Sequence, residues 1–146
     1  MSTDALTIRP GVAGIVFNSD DELLLHRRRA GDGWAPPSGS MEPGEDVKSA
    51  FRRELHEETR LRVDVARFVG LYSDPSFQIV RYPSGKTVHF VTSVFACRKA
   101  GGDLQGAEEG FEWRWFAPDG LPDVMPPYAR HWIDDSLSKL NHPVVR

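Results

Sequence analysis

The chain has 146 residues, a length that suits one domain, and we take residues 1–146 as that domain. Apolar residues make up 40% of it and charged residues 27%, a composition that excludes a disordered chain. The formal net charge of -3 excludes a general basic field for nucleic acid polymers, so an anionic substrate needs a local cation or arginine patch.

Cysteine usage and apolar runs indicate the compartment. Cys97 is the only cysteine, which excludes an intrachain disulfide and a thiolate zinc site. The first residues, MSTDALTIRPG, lack the basic start and apolar core of a signal peptide. No apolar run approaches the roughly 20 residues of a membrane span. We expect a cytoplasmic protein with no membrane partner.

The first half of the chain predicts a hairpin, a loop and a helix. The apolar runs GVAGIVF and ELLLHRR flank the turn-rich NSDD, which indicates a hairpin. A Gly/Pro-rich loop, GDGWAPPSG, follows and is anchored by Trp34. The spacing of apolar residues then predicts a helix from about Asp46 to Thr59.

The second half predicts strands and a last helix. VARFVGLYSD is one strand, and FQIVRYPSGKTVHFVTSVFACRK predicts two more around a turn at residues 83–85. In GFEWRWFA, aromatic and charged residues alternate as in a strand with one buried face. A helix from about Pro127 to Leu140 ends the series. This order predicts an α/β fold with a mixed sheet between helices.

One short segment imitates a nucleotide-binding motif. PSGKT at residues 83–87 resembles the end of a phosphate-binding P-loop, but that pattern needs a Gly where this chain has Val80. It also needs a helix afterwards, whereas TVHFVTSVF is β-branched and aromatic. We interpret the segment as a hairpin turn.

The helix after the loop carries acidic residues on an unexpected face. At about 100° per residue, one arc holds the apolar residues that should pack on the core: Val47, Ala50, Phe51 and Leu55. Glu54, Glu57 and Glu58 fall in or beside this arc, near the helix C-terminus, where the dipole disfavours anions. Their mutual repulsion costs stability unless the cluster holds something positive.

Two interpretations of this acidic cluster compete. Charge runs are usually solvated surface, which would make the helix an ordinary surface helix with excess acid. The wheel argues against this, because three carboxylates that converge on a partly buried spot suit a hard cation such as Mg²⁺ or Mn²⁺. The preceding loop, GSMEPGE, brings backbone amides of residues such as Gly39 to the helix start, a usual place for phosphate.

The whole segment matches a longer pattern. It has Gly39, five residues, Glu45, seven residues, then Arg53-Glu54-Leu55-x-Glu57-Glu58 and a final Leu61. This resembles the Nudix box, G-x5-E-x7-R-E-U-x-E-E-x-G-U with U aliphatic, the signature of the Nudix hydrolase family. GWAPPSG and FEWRWFAPDGLPD are similar to flanking segments of that family, so the resemblance covers most of the chain.

The resemblance implies a fold, a reaction and roles. The fold would be the Nudix-type α/β/α sandwich, and the reaction divalent-cation-dependent hydrolysis of a nucleoside diphosphate linked to another moiety. The metal ligands would be Glu54, Glu57 and Glu58, with Glu57 acting in catalysis. Arg53 would hold a neighbouring carboxylate by bidentate hydrogen bonds. One departure is Arg60 in place of the box Gly, for which we expect a left-handed conformation costing about 1–2 kcal/mol.

Two further regions supply candidates. The family often places a base or an extra ligand in the loop before the late strand, where GAEEGFEW offers Glu108, Glu109 and Glu112, and we favour Glu109 as base and ligand. At the end of the second hairpin strand, alternation points Arg27 and Arg29 to one face, where either could grip phosphate. A solvated basic strand end is the competing interpretation of these arginines.

The substrate stays open at this stage. Tyr72, Phe77 and Tyr82 are candidates for stacking on a base, with a core position as the alternative. Pro75 lies where ADP-ribose-cleaving relatives carry a proline, which favours a nucleotide-sugar or ADP-ribose type of substrate. The alternatives are clean-up of nucleoside triphosphates and a non-catalytic nucleotide-binding domain, although such a domain should have lost a box carboxylate. We expect a small nucleotide and no nucleic acid polymer as partner, and a homodimer is compatible with the sequence.

Overall fold

A mixed β-sheet lies between helices in the computed structural model of the chain, which describes residues 5–28, 31–104 and 112–146. The helices are α1 (Val47–Thr59), α2 (Pro75–Gln78) and α3 (Pro127–Leu137). The strands are β1 (Thr7–Phe17), β2 (Leu23–Arg27), β3 (Trp34–Ala35), β4 (Ser38–Ser40), β5 (Arg62–Tyr72), β6 (Ile79–Arg81), β7 (Thr87–Gly101), β8 (Glu112–Phe116) and β9 (Val144–Val145).

The sheet is organised around a long parallel pair. β1 runs parallel to β7 from Thr7 opposite Val88 to Phe17 opposite Arg98. The strand order is β3-β2-β1-β7-β5-β9, with β4 on β1, β6 on β7 and β8 on β2. The antiparallel pairs β1–β2 and β6–β7 confirm both hairpins predicted from the sequence. PSGKT forms the β6–β7 turn, where Gly85 has a φ of 89°.

Each face of the sheet has its own apolar core. Along β1, Val12 and Val16 point to the side of α1, and Ala13 and Ile15 point to the side of α3. Trp113 and Trp115 of β8 share the α1 side, as the alternation predicts. The α/β/α sandwich with a mixed sheet is therefore confirmed.

The caps and one close contact fix α1 on the sheet. Asp46 is its N-cap and accepts from the Ser49 backbone N–H at 2.8 Å. An added Cβ on Gly14 would lie 2.3 Å from the ring of Phe51, so the absence of a side chain at Gly14 lets that ring rest on β1. The helix ends at Thr59, and its C-cap residue Arg60 has a φ of 67° and a ψ of 7°, which confirms the predicted left-handed conformation.

The structure corrects several boundaries. The strand predicted from Phe77 begins only at Ile79, because the Asp74 carboxylate caps the Ser76 backbone N–H and Pro75 starts α2. β5 begins at Arg62, earlier than predicted, and β9 was not predicted at all. α3 ends at Leu137, short of the predicted Leu140. No helix within the described ranges is long and apolar enough to cross a membrane.

Candidate active site

The acidic end of α1 meets the sheet at β4. An added Cβ on Gly39 would lie 2.3 Å from Cδ and 2.6 Å from Oε2 of Glu54. The Glu54 carboxyl group therefore occupies the space that any other residue at position 39 would fill. Gly39 itself pairs with Val12 in β1, so this contact holds Glu54 against the sheet edge.

Arg53 connects the carboxylates of this region. Its Nε and Nη2 donate to the two oxygens of Glu45 at 2.6 and 3.0 Å, which confirms the predicted bidentate pair. Its Nη1 lies 3.2 Å from Glu54 and 3.3 Å from Glu57, and Nη2 also donates to the Ser40 carbonyl at 3.1 Å. Hydrogen bonds from Arg53 are the main cause that lowers the pKa of Glu45. In the structure, the positive group at the centre of the cluster is thus Arg53.

Burial differs among the three predicted metal ligands. The Glu54 side chain is 21% exposed, whereas that of Glu57 is 60% exposed. The expectation that Glu57 lies on a half-buried face is wrong, because its side chain is mostly exposed. Glu58 is intermediate in exposure.

The side chains of this region have the right chemistry for the predicted metal site, but those of the described residues do not stand in a metal-ligating arrangement. Among residues 5–28, 31–104 and 112–146, no three acidic, histidine or cysteine side chains stand in a metal-ligating arrangement. The donors of α1 are all carboxylate oxygens, the type that Mg²⁺ and Mn²⁺ prefer. One oxygen of Glu54 and one of Glu57 lie within 3.3 Å of the same Arg53 nitrogen, so a small shift could direct both to one cation.

A cavity of about 250 Å³ opens beside β4. Ser38, Gly39 and Ser40 are part of its lining, and Gly39 lies against Glu54. The rest of the lining is mainly aromatic and apolar: Val12, Phe77, Val80, Tyr82, Phe90, Tyr128 and Trp132, with His26, Arg28, Gln78 and Thr92 as the polar members. Phe77 and Tyr82 thus face the cavity, whereas Tyr72 is fully buried in the core.

The arginine at the cavity is not the one predicted. Arg28 lines it and donates from Nη1 to the Tyr128 hydroxyl. Arg27 instead pairs with Glu112 at 2.8 Å, is 61% exposed and is absent from the lining. The phosphate contact of Arg27 stays a prediction, and the structure shows Glu112 as the ion-pair partner of Arg27. Arg29, Glu108 and Glu109 lie outside the described residues.

His26 contributes a neutral ring to the cavity. Burial, followed by the charge of Arg28, lowers the pKa of His26 to about 4. Its ring stacks on Trp113 with centroids 4.8 Å apart. This histidine, Gln78 and Thr92 could not be recognised from the sequence, because no spacing pattern links them.

Known proteins resemble this chain in sequence and in fold. The NUDIX domain family matches residues 7–137. An ADP-ribose pyrophosphatase from Methanocaldococcus jannaschii is 34% identical over 124 residues, which cover 82% of this chain and 69% of the relative. An RNA pyrophosphohydrolase from Novosphingobium aromaticivorans is 29% identical over 140 residues, covering 86% of this chain and 87% of the relative. The crystal structure of an ADP-ribose pyrophosphatase from Streptococcus suis shares the fold, with a TM-score of 0.68 at 23% identity, covering 94% of this chain and 97% of that one.

Proposed function

The chain belongs to the Nudix hydrolase family, and from this premise we propose that it hydrolyses the pyrophosphate bond of a nucleoside diphosphate linked to another moiety, with Mg²⁺ or Mn²⁺. The observation that carries the proposal is the position of Gly39. This residue lines the aromatic cavity and also lies against Glu54, so a nucleotide in the cavity has the acidic helix beside it.

The acidic helix supplies the ligands in this proposal. Glu54, Glu57 and Glu58 hold the cation, and Glu109, outside the described residues, is proposed as an additional ligand and base. A divalent cation held by these residues would polarise a phosphoryl oxygen and lower the pKa of a bound water molecule. Because a pyrophosphate is anionic and the chain has a net charge of -3, this positive charge is needed for binding.

Arg53 acts as the positioning residue. It fastens Glu45, Glu54 and Glu57 to one guanidinium, and its contact with the Ser40 carbonyl ties the group to β4. This arrangement limits how far the carboxylates can separate before a cation binds. The Glu57 side chain is 60% exposed, so its carboxylate can reach a water molecule as well as the cation.

The cavity provides the nucleoside site in this proposal. Phe77, Tyr82 and Phe90 offer aromatic surfaces on which a base can stack. Arg28 supplies positive charge at this cavity. The similarity to an ADP-ribose pyrophosphatase supports a linked nucleoside diphosphate as the substrate class.

A substrate panel tests this function. The protein is incubated with Mg²⁺ and nucleoside diphosphate sugars, ADP-ribose, nucleoside triphosphates and a short RNA with a 5′ phosphoanhydride, and products are identified by mass spectrometry. We expect a nucleoside monophosphate and a phosphorylated partner from at least one linked diphosphate, and no product in excess chelator. Failure to cleave any phosphoanhydride, or full turnover in chelator, would contradict the proposal.

A matched pair of variants compares a proposed metal ligand with a nearby carboxylate that is not a proposed ligand. Glu54→Gln removes a proposed ligand and should lower kcat/KM by at least about 100-fold. Glu42→Gln removes a carboxylate that is 66% exposed and lies 3.7 Å from Arg53 without being a proposed ligand. Its kcat/KM should stay within about threefold of the parent, because such exposed pairs contribute little.

A further inference from the structure

We propose that Gln78 is a positioning residue for the nucleobase, because it holds α2 where the ring of the neighbouring Phe77 forms a stacking surface of the cavity. Both residues line the cavity. In this arrangement Phe77 contacts the base, and Gln78 acts through Phe77. The inference rests on the proposed function in one respect, namely that a nucleotide occupies the cavity.

The helix α2 is a single turn that depends on contacts with other elements. It has four residues, and isolated helices of that length are not stable in water. Its start is fixed by Asp74, whose carboxylate accepts from the Ser76 backbone N–H at 2.8 Å. Pro75 and Ser76 are exposed, whereas Gln78 is 2% exposed. The buried anchor of α2 is therefore Gln78.

The Gln78 carboxamide connects α2 to β7 and to α3. Its Oε1 accepts from Trp132 Nε1 at 3.2 Å, because an indole N–H can only donate. Its Nε2 donates to the Phe90 carbonyl and to Thr92 Oγ1, each at 3.1 Å. Each polar atom of this side chain thus has a protein partner, and the three hydrogen bonds together fix its position and its orientation.

Phe77 packs on the same helix that Gln78 contacts. Its ring stacks on His131 of α3, with centroids 4.0 Å apart and planes at 20°. Since His131 precedes Trp132 in the chain, two neighbouring residues of α2 contact two neighbouring residues of α3. With one face covered by His131, the Phe77 ring offers its opposite face to a planar ligand in the cavity.

Stacking on Phe77 depends on where its ring lies. A gap of about 0.5–1 Å between two surfaces already removes about a quarter to a half of their dispersion attraction. Without the Gln78 carboxamide, the Trp132 N–H and the Phe90 carbonyl lose these partners in the interior, which is unfavourable unless the segment moves. Because Phe77 is the chain neighbour of Gln78, such a movement displaces its ring.

Ligands with and without a base test the inference. The ligands are the α,β-methylene 5′-diphosphates of adenosine, guanosine, cytidine and uridine, which resist hydrolysis, and methylenediphosphonate, which lacks the nucleoside. Dissociation constants are measured by isothermal titration calorimetry with the complete chain in Mg²⁺. We expect at least one nucleotide to bind at least about tenfold more tightly than methylenediphosphonate, and this ratio is called the base advantage. If none of the four does so, the inference is overturned.

A double-mutant cycle shows whether Gln78 acts through Phe77. Phe77→Leu removes the ring, and Gln78→Met removes the carboxamide at similar size. Each should lower the base advantage at least about fivefold and leave the affinity for methylenediphosphonate the same. The double variant should stay within about twofold of Phe77→Leu, because Gln78 then has no ring to position. A larger additional loss would overturn the inference, since Gln78 would then contact the ligand itself or act through another residue.

Ser136→Ala is the matched control for the loss of a buried hydrogen bond. Ser136 is 6% exposed and donates to the Ile133 carbonyl at 2.7 Å, on the same helix as Trp132 but outside the cavity lining. This variant should keep the base advantage. A merely structural role of Gln78 would make Gln78→Met weaken the nucleotides and methylenediphosphonate alike, and that result would also overturn the inference.

Thermal melts check that the variants fold. If Gln78→Met does not fold, Thr92→Val carries the test, because it removes one of the three hydrogen bonds of Gln78. It should lower the base advantage at least about threefold in the parent and leave it unchanged in Phe77→Leu. An unchanged base advantage in the parent, or an equal loss in both backgrounds, would overturn the inference.

The outcomes separate this inference from the proposed function. If the base advantage depends on Gln78 through Phe77 and no phosphoanhydride is cleaved, the proposed function fails and the inference stands. If a linked diphosphate is cleaved and the two substitutions act independently, the inference fails and the proposed function stands.

Discussion

The substitution Gly39→Ala should lower activity strongly while it changes the stability of the fold only slightly. The new Cβ would lie 2.3 Å from Cδ, 2.4 Å from Cγ and 2.6 Å from Oε2 of Glu54. These distances are far below the roughly 3.5–4.0 Å of an ordinary contact, so the carboxyl group has to leave its place. The clash is with the end of a flexible side chain and not with the main chain, so the backbone at residue 39 can stay in place.

The cost to folding should be small. The displaced Glu54 loses its 3.2 Å contact with Arg53, and partly exposed ion pairs contribute about 1 kcal/mol or less. We therefore expect the free energy of unfolding to change by no more than about 1 kcal/mol. Activity should fall at least about 100-fold, because a proposed ligand is misplaced beside the bound substrate.

Urea unfolding and kcat/KM for a linked nucleoside diphosphate measure the two effects. The matched control is Gly120→Ala, whose Cβ would be 3.8 Å from its nearest neighbour, the Ala117 carbonyl oxygen. It should leave both quantities unchanged. Full activity of Gly39→Ala would refute the reasoning, since the observed place of Glu54 would then not matter for catalysis.

Other predictions concern the same helix and the cavity. Arg60→Gly should leave the free energy of unfolding unchanged or raise it by up to about 1 kcal/mol, because Arg60 has a φ of 67°; a clear drop in Tm would contradict this. Arg53→Lys should lower stability by about 1–2 kcal/mol and kcat/KM at least about tenfold, because one ammonium cannot hold Glu45 by two bonds and also reach Ser40; parental kinetics would count against its positioning role. The folded state holds the pKa of His26 at about 4, so the unfolded chain takes up this proton first as the pH falls below 6.5. The parent should lose about 1–2 kcal/mol of stability between pH 6.5 and 5 that His26→Gln does not lose, with exposed His56→Gln as control; identical pH profiles would argue against a neutral buried ring.

Local patterns predicted the parts of the site that depend on neighbouring residues. The period of α1 placed Ala50, Phe51 and Leu55 on the core, and each is buried. The family resemblance implied that Arg53 holds a neighbouring carboxylate by two hydrogen bonds, and the structure shows that this carboxylate is Glu45. A helical wheel gives direction only, however, so it could not show that the Glu57 side chain is 60% exposed.

Contacts between residues that lie far apart in the sequence could not be predicted from such local patterns. β2 ends at Arg27, so strand alternation cannot be extended to the residues after it, and Arg28 turns to Tyr128 instead. Gln78 meets Trp132, a residue 54 positions away, and this pairing follows from the packing of α3 on the sheet. The helical turn α2 was hidden because the apolar residues Phe77, Ile79 and Val80 resemble the start of a strand.

The most direct test of the central claim, that the acidic end of α1 holds a catalytic divalent cation, compares the parent with Glu57→Gln in chelator and in Mg²⁺. This substitution keeps the shape of the side chain and removes one charge that repels its neighbours, so in chelator the variant should melt no lower than the parent. Adding Mg²⁺ should raise the Tm of the parent more than that of the variant, by linkage to binding, and the variant should cleave the pyrophosphate bond at least about 100-fold more slowly. If Glu57→Gln cleaves at the parental rate, or melts well below the parent in chelator, the carboxylate cluster is structural and the account is wrong.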